Sequence, residues 1–186
     1  MALSLLTSLV LLAAPCATRA SDPVTSPDGG VIVFIARDGS RTDETALGAL
    51  AHEDLCVVRH GGPATVLLAG RGDAAPEHSL ASFDGLVFSP DGATLFFTAT
   101  GWVTSPAAHA LDLATGQETF LFDGAIRAPL AKGLYLAAHF RLDDAHPSTS
   151  PAYRGRIETW SVVTRTGRLV RKVSEAEARK WLPPSR

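Results

Sequence analysis

The densest run of residues that could do chemistry lies between positions 139 and 146. His139, Asp143, Asp144 and His146 mix imidazole and carboxylate donors, a set able to hold zinc or manganese if one loop folds back on itself. Their spacing matches no established metal motif. The plainer expectation is a solvated polar loop with His139 at the end of a strand, and with no metal and no cofactor. An acid–base pair on the same residues would need a defined carboxylate separation, which spacing alone does not supply. His52-Glu53-Asp54-Leu55-Cys56 begins like a zinc-protease helix but lacks the second histidine. No Gly-x-Ser-x-Gly elbow presents a serine, and no glycine-rich phosphate cradle is present. Arg71-Gly72-Asp73 spells an adhesion tripeptide that chance explains in a chain rich in those residues.

Composition excludes further classes. The 186 residues carry 17 Lys+Arg against 19 Asp+Glu, a net charge of −2, so there is no basic excess for nucleic acid. Arg165, Arg168, Arg171 and Lys172 lie on strand-like sequence and read as edge protection. With 46% hydrophobic residues the chain is not disorder-grade. Two cysteines exclude a disulfide framework. Residues Leu3 to Ala14 form an apolar run too short to span a bilayer and suited to the core of an export signal. Thr18 and Ala20 place small residues at −3 and −1, so cleavage is expected after Ala20, giving a signal peptide at 1–20. Lipidation of Cys16 is the rival, with Pro15 against it. The expected location is periplasmic or secreted, with no membrane span. Cys56, in Leu55-Cys56-Val57-Val58, then reads as the single remaining thiol and a buried small hydrophobe.

The elements that position these residues announce themselves by repetition. Ser26-Pro27-Asp28-Gly29 precedes the β-rich run Val31 to Ala36, and Ser89-Pro90-Asp91-Gly92 precedes Thr94 to Thr100. Proline fixes φ, aspartate bonds its own backbone and glycine takes positive φ, which together make a tight turn. Glycine turns at His60-Gly61-Gly62, Ala114-Thr115-Gly116 and Arg165-Thr166-Gly167 each join two further strand-like runs. A third unit opens at Ala128 to Leu136, where proline and glycine persist but Asp-Gly is lost. The first unit has little room for an opening strand after Ala20.

Phe88-Ser-Pro-Asp-Gly-Ala-Thr-Leu-Phe-Phe-Thr, followed by Ala110-Leu-Asp-Leu-Ala-Thr-Gly-Gln-Glu-Thr, resembles the PD40 repeat, the WD40-like blade of TolB-type β-propellers. The same repeat occurs in propeller domains of prolyl-oligopeptidase relatives. The resemblance implies an all-β fold of four-stranded antiparallel blades and a binding role. In the peptidase relatives, catalysis sits in a separate hydrolase domain not expected here. The expected blades are residues 24–69, 83–123 and 124–173, followed by a C-terminal helix over 175–182 that opens on a Ser174-to-Glu177 capping box. Closed propellers need at least four blades. Three could pair with a second chain into a six-bladed homodimer ring, pack on themselves in a monomer, or be a truncated remnant.

Strand alternation would put segments 37–53, 70–83, 101–107 and 141–156 on one face, as its loops, with short turns on the other. Trp102 and Tyr153, with Arg154, Asp143 and Asp144 nearby, are the expected partner-contact residues, since aromatic and arginine side chains dominate binding hot spots. The chain is expected to be an exported, non-enzymatic protein-interaction module. The alternatives are a small exported hydrolase or metal-dependent enzyme using residues 139–146, and a fragment without independent function.

Overall fold

A computed structural model describes Cys16 and residues 19–102, 105–142 and 156–182 of the chain. The Ser-Pro-Asp-Gly turns form as their chemistry dictates. Ser26 Oγ donates to Asp28 Oδ1 at 2.5 Å, and the Gly30 and Val31 amides donate to Asp28 Oδ1 and Ser26 Oγ at 3.0 and 2.9 Å. Ser89, Asp91, Ala93 and Thr94 repeat this pattern at 2.5, 3.1 and 2.9 Å. Gly29 and Gly92 take φ of 75° and 67°. The serine hydroxyl is the leading cause that holds each aspartate carboxyl below its ordinary range.

Each turn joins the first two strands of a four-stranded antiparallel sheet. The first sheet runs β1 (Arg19–Thr25), β2 (Val31–Thr45), β3 (Gly48–Arg59), β4 (Thr65–Leu68). The second runs β5 (Asp84–Phe88), β6 (Thr94–Trp102), β7 (Ser105–Asp112), β8 (Glu118–Asp123). The third runs β9 (Ala125–Pro129), β10 (Leu134–Leu142), β11 (Arg156–Thr164), β12 (Leu169–Val173). In the third sheet a single 3-10 turn, Ala131–Gly133, replaces Asp-Gly, with Lys132 and Gly133 at φ 61° and 68°. The all-β, three-blade architecture expected from the turns is therefore present.

The sheets stack in chain order. Val33, Ile35, Leu55 and Val57 of the first sheet pack against Leu86, Phe88, Leu95 and Phe97 of the second. From the other face of the second sheet Phe96 meets Ile126, Tyr135 and Val163 of the third, with the Phe96 and Tyr135 rings 4.6 Å apart. The second sheet is thus covered on both sides, and β6 is buried from Thr94 to Gly101. That is why Leu95, Phe96 and Phe97 stand in succession where a half-exposed strand would alternate.

The outer face of the third sheet is covered by the chain's own tail. The helix α1 (Glu175–Ala178) starts with Ser174 accepting the Glu177 amide. Ala178, Trp181 and Leu182 pack with Leu136, Ala138, Phe140 and Trp160. Arg171 sits 5.7 Å over the Trp181 ring. The helix is shorter than the expected 175–182, with turns carrying the chain on to Trp181.

Four expectations need correction. The first sheet does have its opening strand: β1 begins at Arg19, before the expected cleavage point, and pairs with β2. Segment 37–53 is not a loop, because β2 and β3 run on as a two-stranded ribbon from Arg37 paired with Glu53 to Thr45 paired with Gly48. The described residues of segment 101–107 are likewise strand, with Trp102 of β6 paired with Ser105 of β7. Cys56 is not a free thiol but is disulfide-bonded to Cys16. Its position in mid-strand, fully buried, orients the sulfur to the face of the first sheet opposite the core. Among the described residues no helix is long and apolar enough to cross a membrane.

Two outcomes test this arrangement. Thiol alkylation of unreduced, denatured protein that retains residue 16 is expected to label neither cysteine, and reduction should expose both; labelling of Cys56 before reduction would refute the bridge. Trp181→Ala is expected to cost roughly 2 kcal/mol by urea unfolding, less than the 3–5 kcal/mol of a fully buried aromatic, because the ring is only partly buried.

Candidate functional site

The β2–β3 ribbon and the 69–83 connector form one wall of the face opposite the Ser-Pro-Asp-Gly turns. Their backbones touch closely. A Cβ at Gly70 would lie 1.9 Å from the Glu53 carbonyl oxygen, and one at Gly72 would lie 1.9 Å from that of Glu44. Only glycine allows this approach. The connector closes on itself where Arg71 and Leu80 exchange backbone hydrogen bonds at 2.9 and 2.8 Å. It is pinned to β6 by the Thr100 amide and hydroxyl, both donating to the Ala81 carbonyl.

Charged groups lie behind this wall. Glu53 is 2% exposed and accepts from the Phe83 amide at 2.8 Å and from the Arg37 guanidinium, whose Nε lies at 2.8 Å. Arg37 itself faces water. His52, also buried, sets Nδ1 2.9 Å from Asp43 and Nε2 3.3 Å from Asp54, while Asp54 accepts the Gly70 amide at 2.9 Å. Ribbon, sheet and connector are therefore tied by two polar clusters, one on Glu53 and one on His52 and Asp54. In the second sheet, His109 is fully buried. Its Nδ1 lies 2.6 Å from Glu118, and its ring is stacked on Phe97 at 5.3 Å. Arg71 reaches Glu118 at 3.7 Å and Asp73 accepts the Ala75 amide, so the Arg-Gly-Asp tripeptide is engaged within the fold.

In front of the wall lies a groove of about 430 Å³ where the inner strands converge. Leu47 at the ribbon tip and Trp102 at the end of β6 line it, 47% and 39% exposed, with Asp84 of β5 and Arg127 of β9 adding opposite charges. Trp102 also meets Phe120, centroids 6.2 Å apart. Sequence reasoning found Trp102 but missed Leu47, Asp84 and Arg127. Leu47 carried no distinct signal, since it sits in the apolar run Ala46-Leu47-Gly48-Ala49-Leu50-Ala51.

The other sequence candidates fare differently. Asp143, Asp144, His146, Tyr153 and Arg154 lie outside the described residues. His139 is described, and both its ring nitrogens are engaged. Nδ1 lies 3.0 Å from the Asp123 carbonyl and Nε2 2.8 Å from Ser161 Oγ. Among the described residues no group of three His, Cys, Asp or Glu side chains gathers as a metal site.

No family model matches the chain, and no curated protein matches it. Solved structures do. The chain is similar to Pyrococcus horikoshii acylaminoacyl peptidase, at 15% identity and a TM-score of 0.54 over 83% of this chain and 24% of that one. It is similar also to a structure from a study of two prolyl endopeptidases, at 14% identity and a TM-score of 0.52 over 83% of this chain and 22% of that one. The chain therefore spans about a quarter of the length of the proteins it matches. At this identity what is shared is the fold, and the fold is that of β-propeller-type blades. These matches correct the expectation of a non-enzymatic module: the proteins that share the fold are peptidases, so blade architecture does not argue against a part in catalysis.

The Glu53 network gives the site its own test. Arg37→Met strips a buried carboxylate of its cation and is expected to cost about 2–3 kcal/mol, near the low end for a broken buried pair because Arg37 is itself hydrated. Adding Glu53→Gln should recover part of that loss, since the amide oxygen still accepts the Phe83 amide without a buried charge. Strictly additive costs in urea unfolding would count against the network.

Proposed function

We propose that this chain is a propeller-type recognition module that holds a protein partner in the groove between the β2–β3 ribbon tip and the paired ends of β6 and β7. The observation that carries this reading is the exposure of Leu47 and Trp102 across that groove, on supports locked by the Glu53 network. Exposed large apolar groups in a concave, pre-organised setting are what binding hot spots require. The neighbouring Asp84 and Arg127 supply polar contacts that fix orientation. The matched proteins act on peptides, which favours a polypeptide as the occupant. Export is part of the proposal: the apolar run at Leu3 to Ala14 suits a secretory signal, and the Cys16–Cys56 bridge suits an oxidising compartment. The Trp181 segment packs on the third sheet's outer face, which favours the groove over a six-bladed homodimer ring as the seat of the partner.

A photo-crosslinking residue at position 102, in cells of the producing organism, is expected to give a discrete adduct that the same group at Val170, 50% exposed elsewhere on the surface, does not give. Adducts of equal pattern from both positions, or none from position 102, would end this reading. Leu47→Ser should weaken the adduct at 102 without lowering thermal stability.

A further inference from the structure

A second concavity lies on the flank between the second and third sheets, apart from the groove at Trp102. We propose that this cleft binds a small organic carboxylate with an apolar body. Its volume is about 570 Å³, and His139, Arg141, Thr159, Ser161, Leu169 and Lys172 line it. Strand register explains why they converge. His139 pairs with Thr159, Arg141 with Ile157, and Ser161 with Lys172, so alternation brings the polar members to one face of the third sheet. Nearer the turns the same face carries Tyr135, Ala137 and Val163, which are buried against the second sheet. The cleft begins where that packing stops. Gly167 holds the opposite edge tight, since a Cβ there would come within 3.0 Å of the Phe122 ring.

Charge decides the ligand's sign. Among the described lining residues none is acidic, and two are exposed cations. Arg37, Arg71, Arg165, Arg171 and Arg179 all have carboxylate partners. Among the described residues Arg141 and Lys172 have none, as is true also of Arg41, Arg59, Arg127, Lys132, Arg168 and Lys180, and what sets the pair apart is the concavity they share. Unpaired cations gathered in a concave setting focus a positive field, and a guanidinium fork matches a carboxylate in two-point contact. The local hydrogen bonds leave these donors free. His139 Nδ1 donates to the Asp123 carbonyl, so Nε2 is left to accept from the Ser161 hydroxyl. The His139 ring also packs 5.0 Å from Phe122. Histidine and serine thus form a fixed wall, and Arg141, Lys172 and the Thr159 hydroxyl remain to receive the anion. Leu169, 54% exposed at the rim, and Val163 at the base give the ligand's hydrocarbon part something to cover.

The test uses octanoate, N-acetyl-leucine, octan-1-ol and inorganic phosphate as probes, followed by calorimetry and ligand-observed NMR on the full chain. Both carboxylates are expected to saturate with Kd near or below about 1 mM, and octanol and phosphate to bind at least tenfold more weakly. Tighter octanoate would assign an acyl-chain source and tighter N-acetyl-leucine an amino-acid-like one; either supports the cleft. The double variant Arg141→Gln, Lys172→Gln removes only exposed charge, so its melting temperature should hold while carboxylate affinity falls about tenfold or more. Octanol or phosphate binding as tightly as octanoate, no saturation by either carboxylate, or unchanged affinity in the double variant would overturn the proposal.

Discussion

A four-stranded sheet with apolar side chains on both faces cannot stand alone in water, and the architecture of this chain follows from covering those faces. The second sheet is covered twice, by the first on one side and the third on the other. Its central strand β6 is buried from Thr94 to Gly101 for that reason. The third sheet finds only one neighbouring sheet, and the tail with Ala178, Trp181 and Leu182 supplies its second cover. The first sheet is held to Cys16 through Cys56, on the face opposite its core. Non-directional burial sets the stacking, and the turns set its order.

On that stack the polar interior selects one geometry for the groove. The Glu53 carboxylate accepts from Arg37 in β2 and, 30 residues further along the sequence, from the Phe83 amide at the end of the connector. Asp54 does the same for the Gly70 amide, and His52 bridges Asp43 and Asp54. Leu47 and Trp102 therefore project from supports that are already ordered, and little further entropy must be lost when a partner arrives. The flank cleft arises differently. It opens where apolar packing between the second and third sheets gives way to polar residues on the same strands.

Much of this was legible in the sequence because turn chemistry is local. The Ser-Pro-Asp-Gly turns form bond for bond alike in the first two sheets, and the three glycine turns fall where their residues place them. What was not legible was long-range or two-sided. The β2–β3 ribbon extends beyond its sheet, with Arg37, Arg41 and Glu44 exposed and His52 and Glu53 buried. Arg37, Asp38, Arg41 and Asp43 show no alternation to mark a strand. The Cys16–Cys56 bridge and the strand at Arg19 were hidden because the same residues spell an export signal, and a linear reading assigns each residue one role. Glu53 and His52 looked like a failed metal motif. Their partners Phe83 and Asp43 come from elements that no spacing rule connects.

The three sheets share one more feature that no residue pattern shows. Each slips register once between its first and second strands, at Ser21/Val24, Asp84/Val87 and Leu136/Ala137, and once between its third and fourth, at Leu55/Cys56, Ala108/His109 and Val162/Val163. A bulge bends its strand and deepens the local right-handed twist. Irregularities at matching steps bend the three sheets alike, which favours their stacking alongside the apolar burial. Drift in sequence, such as the loss of Asp-Gly from the last unit, is then harmless to the assembly for as long as the kinked steps in the backbone survive.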